Sequence, residues 1–410
     1  MEALLENEHF PLREFGGLSA LSDENIQRVG EAIRPLNLPE GTELHANLEQ
    51  GWLIYLIEGE LTLVNQLGEK SEIIEANSAR ALAPIFTEGC YDIHVRAPQG
   101  AQLIRIDRLH VEVLLARQLS ESTQVAEIGF EGADTEVFAS IFDAHEAGAL
   151  KVPSLPEVAT AVNEAARDND MDFNRLAAIV QRDPPCTARL IQVANSPAYR
   201  GAVEVQTLSS AISRMGLDGS RNMVIAIAVE QLVNDVHPRA MECLRDFYHE
   251  SAEVGALCFV LAQKMGGMRE ERAYMAGLLH GLGMVPIINH AYAVLSPEPD
   301  IDLVKRVGEH LVQPLSSWLL SEWGLDAALC DAAESATDWY RPVGEDVGVV
   351  EFVIVAKLLR LVAQGQPTPA EIASTDIGKC LIEAGVDLTD PVAFLNMHQE
   401  DLDSARQLLG

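Results

Sequence analysis

Ile179-Val-Gln-Arg-Asp-Pro-Pro-Cys-Thr-Ala-Arg-Leu-Ile-Gln-Val-Ala-Asn-Ser-Pro-Ala-Tyr199 decides the fold class of most of the chain. Asp183 followed by Pro184 is helix-start chemistry. The carboxylate can accept an N–H that the first turn leaves unpaired, and proline at the first helical position has its φ preset and lacks an N–H. Asn195-Ser196 then suits a turn or cap. The same punctuation extends outward. Pro156 to Asp168 carries Val158, Val162 and Ala165 in helical register, Asp172 can cap Phe173 to Arg182, and Thr207 can cap a helix through Met215. Met223 to Val233 is strongly apolar, and Gly255 to Met265, Tyr274 to Gly283 and Leu311 to Trp323 continue the pattern. From about residue 130 onward the chain reads as all-helical, with no internal repeat.

The first third has a different texture. Trp52-Leu-Ile-Tyr-Leu-Ile57 is a continuous apolar run, Glu58-Gly59-Glu60 breaks it, and Leu61-Thr-Leu-Val64 follows. Ser71 to Ile74, Tyr91 to Ala97 and Ala101 to Ile106 are further short strands, the last two separated by Pro98-Gln99-Gly100. Short strands with regular turn signals predict a small sandwich or barrel. A helix over Ser22–Arg34, with Ile26, Val29 and Ile33 on one face, precedes it, and Asp107–Gln118 follows as another. The fold class expected is α+β multidomain: an N-terminal β-roll, then an all-α domain.

Charge narrows the partners. With 29 Lys+Arg against 62 Asp+Glu, the 410-residue chain carries a formal net charge of −33 and no basic run. It has no general attraction for phosphate backbones or anionic lipid, so nucleic acid and membrane are not expected as partners. Cys90, Cys186, Cys243, Cys258, Cys330 and Cys380 are scattered without a CxxC pair, the usage of reduced thiols in a cytoplasmic protein. Ala273 to Pro297 lacks Asp, Glu, Lys and Arg, which raises a membrane question. His280, Gly281, Gly283, Pro286, Asn289 and His290 within it favour a buried helix and turn.

Ala276-Gly-Leu-Leu-His-Gly-Leu-Gly-Met284 resembles the metal-binding helix of the HD phosphohydrolase superfamily, where a His-Asp pair stands in "LLHDIGK". Lys151-Val-Pro-Ser-Leu-Pro-Glu-Val158 resembles the opening "LPPLPEVA" of the HDOD family, the HD-related output domain. Residues 179–199 resemble its "I..DP.L..RLL.LANSA.Y", and Ser209 to Leu217 its "I.RLG" helix. The resemblance spans roughly residues 140–340 and implies a helical signalling domain mostly without metal chemistry. In active HD proteins metal-activated water attacks a phosphate ester. Here Gly281 stands at the Asp, Glu250 at the first ligand His, and Ser335-Ala336 near the later His pair, while His310 matches a His of active relatives. Glu250, His280 and His310 are thus the vestigial metal candidates, a set whose ligand types suit zinc. The expectation is that they are relics, with no catalytic residue and no cofactor. His249 lies one residue off register, and His290 lies beyond the turn.

Leu53-Ile-Tyr-Leu-Ile-Glu-Gly-Glu-Leu-Thr-Leu-Val64 resembles the "YxIxxGxxxV" strand pair of cyclic-nucleotide-binding-like domains. That family holds the ribose with a Gly-Glu segment and the phosphate with an Arg. The corresponding stretch, Ala76 to Ile85, has no Gly-Glu, and the position expected for Arg falls near Cys90-Tyr91. Arg80 and Arg96 are present out of register, and Arg80 is the residue to watch. The expected domains are 1–119 (β-roll with flanking helices), 120–144 (linker or helix), 145–343 (HDOD) and 344–410 (helical extension). The resemblances imply a bacterial, cytoplasmic, non-catalytic regulator whose HDOD domain contacts other signalling proteins. The alternatives are a divergent metal-dependent phosphohydrolase and a receptor for a small nucleotide ligand. Trp318, Trp323 and Trp339 are expected to serve packing.

Overall fold

The computed structural model describes residues 12–46, 49, 51–64, 70–86, 93–122, 133–151, 153–167, 171–199, 203–234, 241–295, 299–341, 343–344, 347–364, 375–387 and 391–408. The chain divides into two compact units. The first comprises Met1–Asp143, Trp339–Pro342 and Pro367–Lys379, and the second Ala144–Asp338, Val343–Gln366 and Cys380–Gly410.

The first unit is a curled antiparallel sheet with helices. Helix α1 (Asp23–Glu31) starts at Ser22, whose hydroxyl accepts the Asn25 N–H at 3.3 Å. The strands are β1 (Arg34–Leu38), β2 (Glu43–His45), β3 (Trp52–Val64), β4 (Lys70–Glu75), β5 (His94–Arg96) and β6 (Ala101–Asp107), followed by α2 (Arg108–Ser122) and α3 (Ala133–Glu146). Their order is β1-β6-β3-β5-β2, with β4 also on β3.

Strand β3 corrects the sequence reading. Glu58-Gly59-Glu60 does not end a strand. One 13-residue strand runs through it, pairing with β6 over Trp52–Gly59 and with β4 from Glu60 on. Gly59 has φ +97°, and a Cβ there would lie 2.8 Å from the Gly100 carbonyl oxygen. Glycine inside a strand marks a bend or close backbone approach, and here it turns β3 from one partner set to the other. The apolar run before it is continuous because both faces are covered. Ile54 and Leu56 join Leu36, Leu44, Leu61, Val95 and Leu103 in one core, while Leu53 and Tyr55 join Phe15, Leu18, Val29, Ile104 and Leu114 in the other. Strands β1 and β2 have no counterpart in the sequence reading. Pro35 lies within β1, which pairs only with β6 and so tolerates a residue without an N–H.

The second unit is helical. Its helices are α4 (Glu157–Arg167), α5 (Phe173–Val180), α6 (Pro184–Ala194), α7 (Leu208–Asn234), α8 (Met241–Met265), α9 (Glu270–Leu279), α10 (Met284–His290), α11 (Ile301–Glu322), α12 (Ala327–Glu334), α13 (Val349–Ala363), α14 (Asp376–Glu383), α15 (Pro391–Met397) and α16 (Gln399–Arg406), with α14 beginning in the first unit. Asp183 caps α6 through a 2.8 Å bond from the Cys186 N–H. Asn195, at the other end, clasps Val205 by two bonds, donating to its carbonyl at 2.7 Å and accepting its N–H at 2.8 Å. Gly216 kinks α7 at φ 78°, ψ 169°, a region open essentially to glycine alone.

Among the described residues, one helical stretch, Glu270–Leu295, is long and apolar enough to cross a membrane by length and composition. In this fold it is α9, a turn, α10 and a π turn, and its apolar side chains are mostly buried inside the unit. The five described cysteines are free thiols, and Cys90 lies outside the described residues. So do Gly129 and Gly132 of the expected 120–144 linker. Trp339 and Tyr340, which the sequence reading places in the helical domain, pack against the first core of the β unit. The Tyr340 hydroxyl donates to the Glu43 carbonyl at 3.3 Å.

Candidate functional site

The candidate site is built where α8 and α9 cross. Small residues let the backbones meet: a Cβ on Gly277 would lie 2.7 Å from the Gly255 Cα, and one on Gly255 would lie 2.9 Å from the Tyr274 carbonyl oxygen. This contact holds the end of α9, and with it His280, against α8.

His280 is buried, with its Nδ1 2.6 Å from the Gly277 carbonyl oxygen. A carbonyl only accepts, so Nδ1 carries the proton and Nε2 carries the lone pair. Burial above all, then the Lys357 ammonium and, to a smaller degree, Arg360 push the imidazole pKa down to about 3, against the opposing Gly277 carbonyl. Lys357 itself is pushed down to about 8 by desolvation and by Arg360, against the pull of Glu250 and Glu309. Arg360 binds two carboxylates of α8, with Nη2 3.2 Å from Glu250 Oε1 and Nε 3.0 Å from Glu253 Oε2. Burial thus dominates at the imidazole, and two cations from α13 add to its effect.

The three vestigial candidates stand apart in this arrangement. Glu250 is turned to Arg360 and is half exposed. His310 is half-buried on α11. Glu250, His280 and His310 do not bring ligand atoms within 4.8 Å of one another; among the described residues only Glu43, His45 and His94 do so. At Gly281 a Cβ would lie 2.8 Å from Ser251 Oγ, so a side chain there would displace that serine. Ser335 ends α12 and donates to Asp331 Oδ1 at 2.9 Å, and Ala336 is buried. No imidazole reaches the site from that segment.

The other singled-out residues have structural partners. Arg80 binds Glu72 Oε2 through Nε at 3.1 Å, and its Nη atoms donate to the Pro84 and Ile85 carbonyls at 3.0 Å each. Its donors close the turn after β4. Arg96 is exposed, as the burial of its neighbour Val95 requires of an alternating strand. Trp323 donates to the Pro153 carbonyl at 3.1 Å, and Trp318 meets His145 edge-on with centroids 4.6 Å apart. His249 is exposed, and His290 ends α10, with its pKa lowered by burial. Lys357 and Arg360 escaped the sequence reading. Their signal is faint: two cations, three residues apart, in Val349–Ala363, where Glu351 is the one other charged residue.

Comparison with known proteins fits the helical unit. The HDOD domain family matches residues 152–339, and that segment is an HDOD domain. The fold is similar to the crystal structure of a protein from Shewanella amazonensis SB2B whose name assigns it provisionally to the metal-dependent phosphohydrolases. The TM-score is 0.58 at 22% identity, covering 68% of this chain and 99% of that one. An HDOD domain protein of unknown function from Geobacter sulfurreducens gives a TM-score of 0.49 at 18% identity, covering 67% and 98%. Among curated sequences, an uncharacterized protein of Treponema pallidum (strain Nichols) is 20% identical over 202 residues, which is 49% of this chain and 38% of that relative. At 22% identity the likeness to the Shewanella amazonensis structure speaks for the fold alone.

Proposed function

We propose that this chain is a non-catalytic regulatory protein whose HDOD domain works through contacts with other signalling proteins. The observation that carries the reading is the pair of α13 cations at His280. Lys357 and Arg360 act as positive charges on the His280 imidazole, and Arg360 engages the carboxylate at the position expected for the first ligand. Positive charge beside the imidazole opposes a divalent ion there, and with it the metal-bound hydroxide that phosphoester hydrolysis by HD proteins uses. The intact helix-end chemistry at Asp183 and Asn195 keeps the shape while the ligands are gone. In the β unit, Arg80 spends its donors on Glu72 and the 84–85 carbonyls, which argues against a phosphate-binding role there.

Two measurements on the full chain test this. With manganese, iron or zinc added, the protein is expected to hydrolyse neither bis(p-nitrophenyl) phosphate nor cyclic dinucleotides. Turnover that disappears in His280→Ala would overturn the non-catalytic reading. A photo-crosslinker at exposed Val203 on the helical unit is then expected to trap a defined signalling protein in the native host that one at exposed Ile73 on the β unit does not. Trapping of such a partner from Ile73 alone would move the output surface to the β unit.

A further inference from the structure

We propose that Glu43, His45 and His94 form a binding site for one divalent transition-metal ion of the zinc class on the sheet of the β unit. The register brings them together. Strands β2 and β5 are antiparallel with Leu44 opposite Val95 and His45 opposite His94. Leu44 and Val95 point into the core, 1% and 0% exposed. Side chains alternate along a strand, so Glu43 and His45, two residues apart, share the other face, and the pairing sets His94 beside His45 on it. Three side chains of zinc-ligand type therefore converge on one patch without any loop having to be ordered.

The distances match coordination better than hydrogen bonding. Glu43 Oε2 lies 3.6 Å from His45 Nε2 and 3.6 Å from His94 Nε2, and all three candidate ligand atoms lie within 4.8 Å of one another. A hydrogen bond between such groups has a length of about 2.7–3.2 Å. Ligands at about 2.0–2.1 Å from a tetrahedral zinc stand roughly 3.4 Å apart, close to the observed separation. The imidazoles stack with centroids 4.9 Å apart and planes 20° from parallel, and each offers Nε2 to the same carboxylate oxygen. One divalent ion at their common point would be within reach of both rings and the carboxylate at once. Arg96, opposite Glu43 in register, is exposed and carries its charge at the solvent side.

Three protein ligands leave a fourth position for water, and the patch is half-buried, so an ion can enter. The strand it would hold is the one that needs holding. β2 has three residues and ends the sheet order, and besides its pairing with β5 it is tied by the Tyr340 hydroxyl on the Glu43 carbonyl. A metal bridging β2 and β5 would act as a clasp on that edge. The site is separate from His280, and the expectation of a metal-free protein rested on the helical unit alone.

The test uses full-length protein stripped with a chelator and dialysed, in excess magnesium to occupy unselective carboxylates. Zinc titrated against a chromogenic chelator is expected to bind at one equivalent, and cobalt(II) in its place to give the intense visible absorption of a tetrahedral site. His45→Ala and His94→Ala should each weaken binding by at least about 100-fold, the upper end of what loss of a mere supporting contact costs. Exposed His249→Ala should leave it unchanged. Binding that survives both ligand substitutions, or no binding at one equivalent, would overturn the site. Should either variant fail to fold, the wild-type protein decides. Zinc is then expected to protect His45 and His94, but not His249, from diethyl pyrocarbonate, and equal modification with and without zinc would refute the proposal.

Discussion

The two units build their candidate sites in opposite ways. In the helical unit His280 ends α9 beside Gly281, and Lys357 and Arg360 act as positive charges on its imidazole. In the β unit Arg80 is bonded to Glu72 and to the 84–85 carbonyls, while a different set of ligand-type side chains meets across β2 and β5. The helical unit is specified by signals a few residues apart: caps, prolines after caps, glycines at crossings. The β unit is specified by pairing across long stretches of chain. The candidate position in the helical unit is therefore readable from one short motif, and the candidate site in the β unit left almost no local trace.

The comparison breaks most sharply at the helix crossing. If the α8–α9 contact is what preserves the shape of the helical unit, Gly277→Val should be the most damaging single change. Its Cβ meets the Gly255 backbone at 2.7 Å, and backbone cannot give way as a flexible side-chain end can. The expected loss is about 3 kcal/mol or more, at the upper end of overpacking effects. Chemical denaturation is the measurement. A loss below about 1 kcal/mol would mean the helices separate easily and the crossing is not what holds His280 in place.

A second prediction sharpens the electrostatic half of the contrast. The folded His280 pKa of about 3 lies below its ordinary value of about 6.5. Between those values the unfolded chain takes up a proton that the folded chain refuses. The stability this imidazole contributes is thus complete above pH 6.5 and falls toward pH 3, with a slope of up to about 1.4 kcal/mol per pH unit. Lys357 follows the same sign at higher pH. Its folded pKa of about 8 lies below 10.5, so its burden is absent above 10.5, grows as pH falls to 8 and is constant below. Lys357→Met keeps the stem and removes the charge. It should raise the His280 pKa, make the acid loss shallower and abolish the alkaline gain between pH 8 and 10.5. Histidine NMR and denaturation midpoints against pH read these out. An unmoved His280 would mean burial alone depresses it and that the cation does not govern the site.

How much of this was legible follows from the range of each signal. Asp172 and Asp183 were readable as caps, and each accepts the N–H three residues on, at 2.7 and 2.8 Å. His280 and the missing ligand at Gly281 were readable because both lie within one short motif. Lys357 and Arg360 were not, since their approach to His280 depends on how α13 packs. Strands β1 and β2 have five and three residues, too few for alternation to show, and β1 contains a proline. The break assigned at Glu58-Gly59 failed because glycine marks a strand end and a strand bend alike. Glu43 and His45 are visible as neighbours, but nothing local announces that His94 will be opposite.

The smallest expected effect divides a single carboxylate between short-range and long-range roles. Asp326 starts α12, where its Oδ1 accepts the Leu329 N–H at 3.3 Å, and it also receives Arg272 from α9 through Nη1 at 3.0 Å and Nη2 at 2.8 Å. Burial raises its pKa, but the bonds and charge of Arg272, with the cap, outweigh burial and hold the carboxyl below its usual range. Its stabilising effect is therefore complete above the unfolded pKa and lost as pH falls through the lower folded value. Both side chains are partly exposed, so solvent screening discounts the ion pair. Arg272→Ala should cost only about 0.5 kcal/mol and flatten the acid loss near pH 4, whereas Asp326→Ala, which also removes the cap, should cost about 1–2 kcal/mol. The difference between the two variants measures how far the helical unit is held by signals within a few residues. Equal losses would show that the contact across the fold matters as much as the cap, and the contrast with the β unit would narrow accordingly.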